Sequence, residues 1–185
     1  MNIYEFSLVF ESHTDLTTEL EDTLFESGCD DALLSFRNGI AYLNFDREAE
    51  SLESAILEAI YQVEQNESGL EVKRVEPSDL VTSTEIARRL NRSRQSVQQI
   101  ISGIRGDGDF PLPVAGVTSK TMVWSWQEVA KWFLKKEKLT EKSVYDQAAT
   151  LKLINESLEA RRDEFQQKNI LRMTKLLPKK AGELV

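Results

Sequence analysis

The sequence predicts an α+β protein whose strands are concentrated in its first part and whose later part is mostly helical. Three observations carry this expectation. Tyr4, Phe6, Leu8 and Phe10 alternate at period two, which marks a half-buried strand. Asn38-Gly39 sits between two apolar runs, and this pair favours the two-residue hairpin turn in which both residues take positive φ. From Thr82 onward, apolar residues recur at helical spacing behind repeated capping signals.

The elements follow in order. After the first strand, Leu16, Leu20 and Leu24 mark a helix that Gly28 ends. A hairpin over "DALLSFRNGIAYLNF" comes next, and then a helix with Leu52, Ile56, Ala59, Ile60 and Val63 on one stripe. "LEVKRVE" closes the series as a strand, so the order β-α-β-β-α-β predicts a ferredoxin-like domain over residues 1–77. Pro77-Ser78-Asp79 is a short polar turn suited to a domain boundary. Tyr4, Phe6, Leu8 and Phe10 are expected beneath the helices, leaving Ile3 and Val9 on the free sheet face as a contact surface.

Charge is distributed unevenly along the chain. Residues 1–79 hold 4 basic and 19 acidic side chains, a net of −15, residues 80–138 a net of +5, and residues 139–185 a net of +2. The acidic part serves solubility, repels non-specific DNA or docks a protein partner. No apolar run approaches the roughly 18 residues of a membrane helix, and the N-terminus lacks the features of a signal peptide. A single cysteine, Cys29, excludes an internal disulfide, and a cytoplasmic location is expected. Cys29 and the lone His13 read as ordinary structural residues rather than a zinc site.

Residues 78–138 carry the most specific pattern. Thr82 and Glu85 are expected to form a Thr-x-x-Glu capping box, and Ile86, Ala87 and Leu90 an inward face. Asn91 suits a left-handed turn between helices, and a second helix over about 93–102 turns Val97, Ile100 and Ile101 inward. Its outward residues are Arg94, Gln95, Ser96, Gln98 and Gln99, and no acid lies between Glu85 and Asp107. Arg pairs with guanine and Gln with adenine at the major-groove edge, so Arg94, Gln95, Gln98 and Gln99 are expected to read bases. Arg92, Ser93, Ser96 and Lys120 are expected to contact phosphate, in a field raised by Arg88, Arg89 and Arg105. A helical hairpin with a merely polar face is the alternative.

Beyond these helices, Phe110-Pro111-Leu112-Pro113 is rigid and extended. Val114–Val117 and Thr121–Trp124 are expected to pair as a hairpin around Thr118-Ser119-Lys120, a wing spanning about 114–124. Ser125 and Glu128 are expected to make another capping box before a helix whose apolar face is Val129, Trp132 and Phe133.

These residues, Ile86-Ala87, Arg92 to Val97, Phe110 to Val114, Trp124 and Val129 to Trp132, resemble the excisionase and AlpA-type winged helix-turn-helix family, relatives of MerR, over about residues 80–135. The resemblance implies a second helix in the major groove and a wing on the DNA backbone. Residues 1–135 also resemble small bacterial DNA-binding proteins with an acidic N-terminal domain. A transcriptional regulator is therefore expected, bound to double-stranded DNA as a homodimer. An excisionase-like architectural factor and an antitoxin-like adaptor that uses the acidic domain are the alternatives.

The remaining features are weaker. Gly106-Asp107-Gly108-Asp109 lacks the other ligands of a calcium loop and reads as a flexible turn. Glu21-Asp22 and Asp30-Asp31 read as solvated surface rather than acid–base pairs, and no phosphate loop or nucleophile–histidine pairing occurs, so neither an enzyme nor a cofactor is expected. Residues 139–185 form a helical extension. Val144, Ala148, Leu151, Leu158 and Phe165 make a seam interrupted by Asn155 and Arg162. That seam fits a coiled coil with Asn155 setting register, or a helix laid on its own domain. The tail "PKKAGELV" is expected to fray.

Overall fold

The computed structural model describes residues 1–10, 17–136, 142–162 and 164–178. His13, Leu16 and the tail from Lys179 lie outside the described residues, as does the side chain of Phe165. The described residues form an α+β structure of seven helices and an antiparallel four-stranded sheet, with a separate pair of two-residue strands.

The first part runs β1 (Asn2–Phe10), α1 (Thr18–Glu26), β2 (Ala32–Arg37), β3 (Ile40–Ala49), α2 (Leu52–Glu64) and β4 (Val72–Glu76). The sheet order is β2-β3-β1-β4. Asn38 and Gly39 join β2 to β3 with φ of 53° and 77°, the paired positive values of a type I′ turn. Period-two alternation turns Phe6, Leu8 and Phe10 toward the buried face with Leu43 and Phe45, and Phe6 stacks on Phe45 at 5.0 Å between ring centroids. Ile56, Ala59 and Val63 of α2 close over them.

The free sheet face departs from expectation. Ile3 is 70% exposed, but Val9 is only 5% exposed. Val9 lies opposite Tyr42 on one neighbouring strand and Arg74 on the other, and these large side chains share its face. Val9 is therefore a wall of a surface depression rather than a contact residue.

Arg47 belongs to no motif or periodic stripe of the sequence. It projects from the core face of β3 and is 6% exposed. Its Nε and Nη2 donate to both carboxylate oxygens of Asp31 at 2.8 and 2.7 Å, Nη1 to Gln62 Oε1 at 2.7 Å, and Nη2 to the Gly28 carbonyl at 3.0 Å. The guanidinium lies 4.8 Å from the Phe45 ring centroid. Asp31 is thus a structural anchor for the α1–β2 loop rather than solvated surface. Beside it, burial pushes the Cys29 thiol above its ordinary range, as expected for an inert structural cysteine.

The second part contains β5 (Leu80–Val81), α3 (Ser83–Arg89), α4 (Arg94–Ile101), β6 (Trp124–Ser125) and α5 (Trp126–Lys135). Its own core gathers Ile86, Val97, Ile100, Trp124, Val129 and Phe133. The turn between the parts is pinned: Arg89 donates to the Ser78 carbonyl at 3.0 Å, and Asp79 accepts from the backbone amides of Trp126 and Gln127 at 2.6 and 2.8 Å.

Helix α6 (Lys142–Arg162) joins the two cores, and α7 (Glu164–Leu176) follows it. Ala148 packs in the core of the second part, whereas Leu151, Ile154 and Leu158 pack in that of the first. Of the two readings of this seam, the helix laid on its own chain is the one observed. Asn155 does not set a coiled-coil register. Its Oδ1 accepts from the Val75 amide at 2.7 Å and its Nδ2 donates to the Val75 carbonyl at 2.9 Å. The side-chain amide stands in for one residue of a further strand at the open edge of β4, satisfying both outward backbone groups of Val75. Asn155→Leu removes both bonds and strands a donor and an acceptor, so it is expected to lower unfolding stability by about 2 kcal/mol in urea titration.

Candidate nucleic-acid interface

The α3–α4 unit is built by local rules. Thr82 Oγ1 accepts from the Glu85 amide at 3.3 Å and starts α3. The returning half of the expected capping box is replaced: the Glu85 carboxylate takes Nε and Nη2 of Arg88 at 2.9 and 2.7 Å and Nε of Arg89 at 2.8 Å. Charge-assisted bonds to two guanidiniums outcompete one neutral backbone amide. Ser125 likewise caps α5 through the Glu128 amide at 3.4 Å. Helix α3 ends in a Schellman turn, with Asn91 N–H donating to the Arg88 carbonyl at 3.1 Å and Arg92 N–H to the Ala87 carbonyl at 2.8 Å. Asn91 takes φ 49°, the left-handed conformation expected of it. Ser93 Oγ accepts from the Ser96 amide at 3.1 Å and starts α4.

The polar side chains of α4 divide by burial. Arg94, Gln95 and Gln98 are exposed, while Ser96 and Gln99 are half-buried. Arg94 and Gln98, and likewise Gln95 and Gln99, stand four residues apart on one face. Four residues rise about 6 Å along a helix, close to two base steps of roughly 3.4 Å along one DNA strand. The hydrophobic face opposite them, Val97 and Ile100, is fully enclosed.

The basic field is narrower than the residue count implies. Arg89 is only 12% exposed at its side chain and lies 5.2 Å from the Trp126 ring centroid. Arg88 is exposed but neutralised by Glu85. Arg92 is half-buried with its guanidinium 5.3 Å from the Phe133 ring centroid, an orientation that the hydrophobic core dictates. Arg94 and Arg105 are exposed, as is Lys120.

Arg88, and then Arg89, hold the Glu85 carboxyl down to about 2 from its ordinary 4.5. A lowered folded-state value stabilises the fold above pH 4.5, and that contribution disappears as pH falls through about 2. Glu85→Gln is expected to lower stability at neutral pH by about 1–2 kcal/mol, allowing for partial solvent screening. It is also expected to flatten the stability curve between pH 4.5 and 2, measured as the urea midpoint against pH.

The segment expected to form a wing is smaller than paired strands would make it. Ala115 and Val123 form an isolated bridge, with Val123 N–H donating to the Ala115 carbonyl at 3.0 Å and Val114 N–H to the Val123 carbonyl at 2.8 Å. Trp124 pairs with Val81 instead, because its ring belongs to the core and its indole N–H donates to the Pro111 carbonyl at 3.1 Å. Gly116 has φ 83°, and a Cβ there would sit 2.0 Å from the Thr121 carbonyl oxygen, so the reversal requires glycine. Ser119 Oγ bonds the Gly116 and Thr121 carbonyls at 3.1 and 3.0 Å, which leaves Thr118 and Lys120 exposed at the tip.

The passage from α4 to this tip is anchored. Phe110 meets Trp124, Trp132 and Phe133 edge-on at 6.3, 5.2 and 6.3 Å. Lys136 Nζ bridges Asp107 at 2.6 Å and Asp109 at 2.8 Å, and the Trp132 indole donates to Asp109 at 3.0 Å. The Gly106–Asp109 segment is therefore a lysine-bound turn, and Lys136 holds the Asp109 carboxyl below its ordinary range. Among the described residues, no group of three or more His, Cys, Asp or Glu could hold a metal, and no helix is long and apolar enough to cross a membrane.

No protein-family model, curated protein or solved structure matches the chain.

Proposed function

We propose that the chain is a sequence-specific DNA-binding protein of the transcriptional-regulator class. In this reading residues 78–138 form a winged helix-turn-helix module, residues 1–77 a ferredoxin-like acidic domain and residues 139–185 a helical extension. The observation that carries it is α4, a helix of Arg94–Ile101 with one face wholly enclosed and the other presenting Arg94, Gln95 and Gln98 to solvent beyond a tight Asn91 turn. Arg94, Gln95, Gln98 and Gln99 read base edges. Ser93 keeps its hydroxyl proton for a phosphate while its oxygen caps the helix, and Ser96 and Lys120 flank the backbone path. Arg92 acts as a phosphate contact only through the outer edge of a guanidinium held over Phe133. Two copies reading two half-sites supply the specificity that one short helix lacks. The chain acts by binding, without cofactor or catalysis.

Selection of bound fragments from genomic DNA with the purified protein tests this reading. A recovered motif with two-fold symmetry is the expected result. Recovery of unrelated sequences would overturn the regulator assignment.

A further inference from the structure

Helices α2 and α6 leave an apolar groove between them, walled by Leu57 and Ile60 on one side and by Leu153, Ile154 and Leu158 on the other. Leu57 and Leu153 are 51% and 63% exposed. Glu53 stands on its wall, while Arg161 at the other end is matched by Glu64. A second apolar surface lies on α7 and the residue after it. Ile170, Met173 and Leu177 recur at i, i+3 and i+7 and are 56%, 55% and 67% exposed. Lys168, Arg172 and Lys175 occupy the opposite side of that helix by the same periodicity.

We infer that α7 of one chain seats in the α2–α6 groove of a second copy, so that two chains exchange C-terminal helices around a two-fold axis. The chain's own α7 does not fill its own groove. One position separates Arg162, the end of α6, from Glu164, the start of α7, whereas helical hairpins reverse through about two to five residues. Seated on its apolar stripe, α7 turns Lys168, Arg172 and Lys175 to solvent, so the exchange buries no charge, and Glu53 and the Arg161–Glu64 pair stay at the groove's rim. Pairing α7 with α7 would leave Leu57 and Leu153 in water. The exchange buries both surfaces at once, in the self-complementary manner of a two-fold dimer. It deepens the two-copy part of the DNA-binding reading, and the two tests are separable, since that one reads sequence recovery and this one reads mass.

Mass and cross-linking test the exchange on the full chain. The protein is expected to sediment at twice its 21.1 kDa chain mass, and Leu153→Asp and Met173→Asp are each expected to return it to single-chain mass. Both positions are more than half exposed, so an unchanged far-ultraviolet spectrum and urea midpoint will show that the variants fold. Chains with Leu153→Cys and chains with Met173→Cys are then mixed and oxidised; buried Cys29 stays inert. A covalent dimer that forms in the mixture and in neither variant alone is the expected result. A dimer from Met173→Cys alone would replace the exchange by α7–α7 pairing. Single-chain mass for the unaltered protein would overturn the proposal outright.

Discussion

Arg94→Ala is expected to weaken binding to a selected DNA site by about 1–3 kcal/mol, roughly 5- to 150-fold, and to relax preference at one base position. Arg94 opens the first turn of α4 and is exposed, whereas Arg88, Arg89 and Arg92 are committed to Glu85, Trp126 and Phe133. In the proposed reading a single side chain therefore supplies most of the guanine-pairing capacity of this face. Lys120→Ala is the control. A backbone contact at the tip should weaken all sequences alike and reduce the slope of log affinity against log salt by about 1. Uniform weakening by Arg94→Ala would reassign Arg94 to phosphate. No change in either variant would move the interface away from α4.

The second large effect concerns stability. Arg47→Ala is expected to cost about 3–5 kcal/mol, the range for removing one partner of a buried ion pair. Asp31 is 30% exposed at its side chain and can recover some hydration, which places the effect near the lower bound. The loss includes the Gln62 oxygen and the Gly28 carbonyl, both left without the guanidinium. Replacing Arg47 by Met and Asp31 by Leu together should recover part of the loss, because no charge is then stranded. Urea unfolding of the three proteins measures both. A cost under about 1 kcal/mol for Arg47→Ala would show that water replaces the arginine.

The sequence and the structure agree where the determinants are local. The Asn38-Gly39 reversal and the left-handed Asn91 follow from residue types and their immediate neighbours, and both are present. The stripes on β1 and α2 follow from periodicity alone. Distant pairing was invisible. Asn155 finds Val75 across 80 positions, and Arg47 finds Asp31 across 16. No spacing rule links an amide on a helix to the open edge of one particular strand. Spacing also overstated two features. Thr82 and Glu85 have the separation of a capping box, but spacing cannot show that Arg88 and Arg89 compete for the same carboxylate. Alternation around Thr118 to Lys120 suggested two full strands, but the Trp124 ring is drawn into the aromatic core and shortens the pairing to one bridge. On α4 the exposed positions of Arg94, Gln95 and Gln98 were legible; the commitment of the neighbouring arginines to rings and carboxylates was not.

The bond between Asn155 and β4 also has a temporal consequence. A ribosome adding about 5–20 residues per second makes Val75 roughly 4–16 seconds before Asn155, 80 positions later. For that interval the nascent sheet has a raw border, able to pair with any extended segment nearby. The helix that closes it, α6, is the last but one to emerge. Birth order thus makes α6 a late clasp, and a chain stalled before Asn155 leaves synthesis with its sheet unsealed.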